Sequence, residues 1–240
     1  MAQYSTWPKV AKENFAAAKK AAAGTAEPPV GAVGSGEERG AAICEALMLG
    51  NARYLGTPLA PLTTNVEGSA AHSRLTEPAA TVLALTPLPA AAHALLGCEE
   101  SNLFVVPCTP AGIEELVVGN AEFGAIAHKT TAILLVAAPT AELATYVQAA
   151  KDAVAAKDAP VALAHAAAVE AMMPALSRTL AAAPPKCSKA QVEALCLEEW
   201  LRTCSDELLR QSAVLAELSA RGELLVQRAV CDAAGALTVV

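Results

Sequence analysis

His93, Cys98 and Cys108 are the only imidazole and thiol groups between Val82 and Ala127, so any metal chemistry in that stretch rests on them. They lie on separate predicted elements, and structural placement is the favoured reading. Glu99 and Glu100 stand beside Ser101, a pattern open to acid-base work but best read as a solvated loop tip. Glu142 follows a strand, where a carboxylate at a helix start caps the positive end of the dipole. Ser73 with His72, and Asp152 with His165, make no recognised nucleophile arrangement. The string GSGEERG, Gly34 to Gly40, has one residue too many for the dinucleotide fingerprint and lacks a good strand before it. It reads as linker.

Composition bounds the rest. A chain of 240 residues can bury a core without staples. It is 54% hydrophobic but only 3% aromatic, so that core is built from small side chains on closely approaching elements. No apolar run reaches the roughly 18 residues a membrane span needs. A net charge of −7 without a basic block argues against nucleic acid. Seven dispersed cysteines without a C-x-x-C pair read as reduced, core-filling thiols of an intracellular protein, cytoplasmic or in an organelle.

The apolar periodicity organises the chain. Residues 1–20 read as a helix with Trp7, Ala11, Phe15 and Ala18 on one face, a docking arm rather than a transit peptide. Residues 21–40 are rich in Gly, Pro and Ala and read as a linker. A helix over 41–56, frayed at Gly50, is followed by a polar loop. Buried strands are expected at TVLAL (81–85), NLFVV (102–106) and TAILLVAA (131–138). Helices are expected at 90–97, within 113–128, at 140–157 and 161–181, and from 190 to 221. The chain closes with two strands around a turn at Gly235. This alternation predicts an α/β fold, a mostly parallel sheet flanked by helices with a C-terminal edge hairpin. The functional crevice of such a sheet lies outside the carboxyl ends of its strands.

Four strings in this order resemble the β-class carbonic anhydrases. GNARYLG, with Gly50, Asn51, Arg53 and Tyr54, resembles the family's Gly-Asn-x-Arg-Phe helix ending. VLAL followed by NLFVV is similar to its first two strands. NAEFGAIAHKTTAILLVAA resembles the helix and strand leading to its zinc histidine, and ARGELLVQRAVCDAAGALTVV its closing hairpin. The resemblance covers roughly residues 43–240 and leaves 1–42 as an N-terminal arm and linker.

Carried across by position, the resemblance puts the first zinc cysteine at Leu85, the catalytic aspartate at Pro87 and its arginine at Pro89. The zinc histidine falls on Ala138 and the second zinc cysteine on Ala141. The family's Arg-Asn after the second strand falls on Pro107 and Cys108. Between Lys129 and Ala164 there is no cysteine or histidine, so sliding the register restores nothing. The expectation is therefore a catalytically degenerate relative with no catalytic residue, metal or other cofactor. As family members are dimers or larger assemblies, the resemblance implies a homodimer, or a heterodimer with a related chain, docked into a larger assembly through residues 1–40. Two alternatives stay open. One is a carbonate dehydratase or other metal-dependent enzyme using relocated ligands such as His93, Cys98 and Cys108. The other is a small-molecule or anion binding module, whose crevice would be lined by Leu85, Pro87, Leu88, Ala138 and Ala141.

Overall fold

A computed structural model describes residues 36–56, 78–156, 166–182 and 187–240. The expected N-terminal arm, the polar loop with His72 and Ser73, and His165 lie outside the described residues. Three short apolar runs form the parallel part of the sheet before the hairpin: β1 (Ala80–Ala84) and β3 (Ala132–Ala137) at its centre, and β2 (Leu103–Pro107) at its edge. β4 (Leu225–Cys231) and β5 (Leu237–Val239) make the closing hairpin. The strand order is β2-β1-β3-β4-β5, with the first four parallel and β5 antiparallel to β4. The fold is thus the expected α/β arrangement.

Both faces of this sheet are covered, which is why its central strands β1 and β3 are apolar at every position but Thr81 rather than alternately. Leu83, Ile133, Leu135 and Ala137 point into one core, while Val82, Leu134 and Val136 point into the other. The first core is closed by α3 (Glu115–Ile126), α4 (Ala141–Ala156), α5 (Ala166–Ala182) and α6 (Lys189–Gln211), with Trp200 wholly buried at its centre. The second is closed by α1 (Gly36–Gly56) and the short α2 (Ala92–Leu95), through Cys44, Leu47 and Leu95. Among the described residues no helix is long and apolar enough to cross a membrane.

Two boundaries differ from those expected. The linker assigned to 21–40, and with it the boundary at residue 42, runs into α1, which begins at Gly36. Gly36 and Gly40 mark surfaces of close approach: a Cβ on Gly40 would stand 2.3 Å from the Thr131 carbonyl oxygen. The glycines that suggested a flexible linker let a helix lie against the sheet. The helix expected from 190 to 221 is two helices, α6 and α7 (Ala213–Ala220), divided at Ser212. Ser212 leaves helical geometry at φ −110°, its Oγ accepting from the Leu215 N–H at 3.0 Å and donating to Glu122 at 2.5 Å. A serine that caps the following turn ends the preceding one.

Glu45 on α1 is a buried carboxylate, 6% exposed, with one oxygen that meets no hydrogen-bond partner among the described residues. Burial raises its pKa above the ordinary carboxylate value. A carboxyl raised in the folded state holds its proton longer there than in the unfolded chain. Its contribution to stability is present below the ordinary value and is lost as pH climbs through the raised one. Glu45→Gln is therefore expected to stabilise the chain at neutral pH by about 1 kcal/mol. It should also flatten the decline in stability above the ordinary carboxylate range. Urea unfolding of both proteins across that range checks this, and parallel pH profiles would refute it.

Candidate functional site

In a sheet of this topology the loops after β1, β2 and β3 meet at the carboxyl edge. Leu85 follows β1, is wholly buried in the first core, and its N–H donates to the Val136 carbonyl at 2.9 Å. Thr86 is also buried. Its hydroxyl accepts from the Ala138 N–H at 2.7 Å and donates to the Ala138 carbonyl at 3.1 Å. The one hydroxyl of the loop therefore laces β1 to the end of β3. Pro87 and Pro89 are exposed, and Leu88 is half-buried.

A cleft of about 450 Å³ opens beside this loop. It is lined by Ala84, Thr86, Pro87 and Leu88, by the start of α2, and by Val105, Pro107 and Cys108. Leu85, Ala138 and Ala141 are not among the lining residues, although the crevice was expected to include them. Pairing Thr86 with Ala138 turns Leu85 into the first core and the Ala138 methyl into the second, on opposite faces of the sheet. Ala141 stands exposed at the first turn of α4. Sequence reading places residues at strand ends but cannot assign their faces without the register.

Cys108 is the one thiol in the cleft. Burial, and after it the nearby Glu114 carboxylate, push its pKa up to about 12. Its Sγ donates to the Val106 carbonyl at 3.5 Å. A thiol held protonated in this way is a poor nucleophile. Cys98 is pushed to about 11 by burial and by Glu99, and Cys44 to about 12 by burial. All seven cysteines are free thiols.

His93, Cys98 and Cys108 do not converge. Cys98 packs against the second core and Cys108 against the first, with the sheet between them. Among the described residues no three His, Cys, Asp or Glu side chains are grouped so as to hold a metal ion. Glu99 and Asn102 form a capping box around the short turn Glu100–Asn102, the structural role expected there. Glu142, in the first turn of α4, accepts a hydrogen bond from the Tyr146 hydroxyl, and that bond is the main reason the phenol pKa is raised. Asp152 accepts from the Gln148 amide at 3.0 Å.

One polar residue of structural weight was read only as part of a resembling string. Asn51 is 3% exposed and makes three hydrogen bonds. Its amide donates to the carbonyls of Leu95 at 2.9 Å and Gly235 at 2.7 Å, and its oxygen accepts from the Leu237 N–H at 2.9 Å. It pins the end of α1 to α2 and to the terminal hairpin.

Solved structures share this architecture. The β-carbonic anhydrase CcaA is similar at 10% identity over 68% of this chain and 79% of that one, with a TM-score of 0.53. The β-carbonic anhydrase CafD of Aspergillus fumigatus is similar at 14% identity over 71% of this chain and 93% of that one, with a TM-score of 0.51. A tetrameric β-carbonic anhydrase of Sordaria macrospora is similar at 12% identity over 72% of this chain and 87% of that one, with a TM-score of 0.50. No protein-family model and no curated protein sequence matches the chain. The chain has the β-carbonic anhydrase fold. Zinc, which that fold suggests, needs thiolate, imidazole or carboxylate ligands. The carboxyl edge of this sheet carries Leu85, Thr86, Pro87, Pro107, Cys108, Ala138 and Ala141, a set that does not fit it.

Proposed function

We propose that this chain is a non-catalytic relative of the β-carbonic anhydrases, retaining their fold as a structural or docking subunit of a dimer or larger assembly. The observation that supports this is the side-chain chemistry of the carboxyl edge. At the positions where the resemblance sets two cysteines, a histidine, an aspartate and an arginine stand Leu85, Ala141, Ala138, Pro87 and Pro89. Of the five only Pro87 lines the cleft. Activating water at neutral pH takes a bound cation that lowers the water's pKa to about 7. Hydrocarbon side chains supply no lone pair for one. Relocated ligands have less support, since Cys98 and Cys108 are separated by the sheet. In this reading the protein works inside the cell, and the residues before α1 tether it to its assembly.

The decisive measurement is stopped-flow CO2 hydration by the full chain, with zinc content measured before and after chelation. The expected rate equals that of buffer, and the expected zinc content is far below one ion per chain. Stoichiometric zinc together with a hydration rate abolished by the chelator would overturn the proposal.

A further inference from the structure

The loop after β2 lies over a second thiol of the first core. Cys108 is the first residue past the strand, half-buried and packed against that core. Directly after it the chain turns tightly: Thr109 bridges Gly112, and the Gly112 N–H donates to the Thr109 carbonyl at 3.0 Å. Gly112 holds φ at +95°. The place its Cβ would take is 3.6 Å from the Cys204 Sγ on α6 and 4.0 Å from the Ala171 Cβ on α5. The turn thus brings the chain at Cys108 back over the buried Cys204, and the residue above that sulfur has no side chain to stand in the way. The electrostatics agree with this placement. After burial, a charge on Cys108 is the largest cause that holds the Cys204 thiol far above the usual range.

The other cysteines are placed differently. Cys44, Cys98 and Cys231 belong to the second core, across the sheet. Cys196 shares the first core and α6 with Cys204, but it lies about 12 Å further back along the helix axis, and Cys187 precedes that helix altogether.

We infer that Cys108 and Cys204 are a dithiol pair that a hydroperoxide converts to a disulfide, a modification site that ties the loop after β2 to α6. Cys108, at the wall of the cleft, meets the oxidant. Its sulfur attacks the terminal oxygen, the O–O bond breaks, the hydroxyl passes to sulfur, and the thiol proton leaves on the departing alcohol or water. The Cys204 sulfur then displaces water from that sulfenic acid, and the S–S bond forms. Two thiols give up two electrons and one peroxide accepts them. A thiol as firmly protonated as Cys108 reacts slowly. Two high-pKa thiols are also poor leaving groups when a reductant attacks their disulfide. The bond therefore forms under sustained oxidation and then persists. Forming it takes the Cys108 Sγ away from the Val106 carbonyl, so the reduced and oxidised chains present different cleft walls.

Exposure of the full chain to hydrogen peroxide, followed by unfolding and a thiol count, tests this. Two of the seven thiols are expected to be lost. A non-reducing digest should show the Cys108 and Cys204 peptides joined, and dithiothreitol should part them. The bond closes a loop of roughly a hundred residues, so the melting temperature should rise by about 10 °C and fall back on reduction. Cys108→Ser and Cys204→Ala should each abolish both changes, and Cys196→Ala should keep both. Cys108→Ser alters a half-buried position, so it reads out the pair even where Cys204→Ala disturbs the core. Seven intact thiols after prolonged exposure, a cross-link to any other cysteine, or sulfinic acid at Cys108 with Cys204 still a thiol overturns the inference.

Discussion

Asn51→Leu is expected to destabilise the chain by about 3–6 kcal/mol, a large part of the 5–15 kcal/mol that holds a typical domain together. The two side chains have nearly the same shape, so packing changes little and the loss is almost wholly polar. Without the amide, the carbonyls of Leu95 and Gly235 and the N–H of Leu237 lose the side chain that satisfies them. Each orphaned buried group costs about 1–3 kcal/mol. The three partners lie on α2, in the terminal turn and at the start of β5, so the damage spreads across the joint where α1, α2 and the hairpin meet. Asn51→Asp is no remedy, because a carboxylate keeps the acceptor for Leu237 and presents negative oxygen to two carbonyls. Urea denaturation is the measurement, with the midpoint expected to fall at an unchanged slope. A loss below about 1 kcal/mol would show that water replaces the amide there.

The same joint shows what the amino-acid sequence discloses and what it withholds. Runs such as VLAL and TAILLVAA are legible as buried strands because nothing polar interrupts them. Their alternation with helical stretches yields the parallel sheet, and Gly235 in its αL-like conformation, φ +90°, marks the terminal turn. Helix ends were less legible where one residue type serves opposite purposes. Gly36 and Gly40 have the composition of a linker and the function of a helix lying flat on a sheet. Ser212 has an ordinary helical neighbourhood and a side chain that ends one helix and starts the next.

At the carboxyl edge, the chemistry was legible and the geometry was not. That Leu85, Pro87, Pro89, Ala138 and Ala141 are poor ligands follows from their identities alone. That Leu85 and Ala138 face opposite cores follows from the pairing of Thr86 with Ala138, and a one-residue shift would exchange those faces. Thr86 is the one hydroxyl of the loop after β1. Its place opposite a buried backbone N–H and carbonyl gives it a task, and it closes the carboxyl end of a seam whose other end is closed by the Thr81–Thr130 hydroxyl pair.

Gly50→Ala should also destabilise the chain, by about 2 kcal/mol, and for a steric reason. In an ordinary exposed helix this substitution gains about 1 kcal/mol, because alanine is the better helix former. Here the added Cβ would stand 1.9 Å from the Leu96 carbonyl oxygen and 2.7 Å from its carbon. These are backbone atoms, so no side-chain rotation relieves the overlap. From the other side, a Cβ on Gly97 would lie 2.7 Å from the Gly50 Cα, and Gly97 holds φ at +59°, where a side chain is strained in any case. The two glycines let the backbones of α1 and the turn after α2 touch, and α1 runs straight through Gly50 rather than fraying there. Separating them costs about 3 kcal/mol of overpacking, which outweighs the gain in helix propensity. It also pulls Asn51, the next residue, away from Leu95. Gly56→Ala is the control: among the described residues nothing lies within 4 Å of its Cβ position, and its stability should stay within about 0.5 kcal/mol of wild type. If thermal unfolding ranked the two variants equally, close backbone contact at Gly50 would not be what joins these elements.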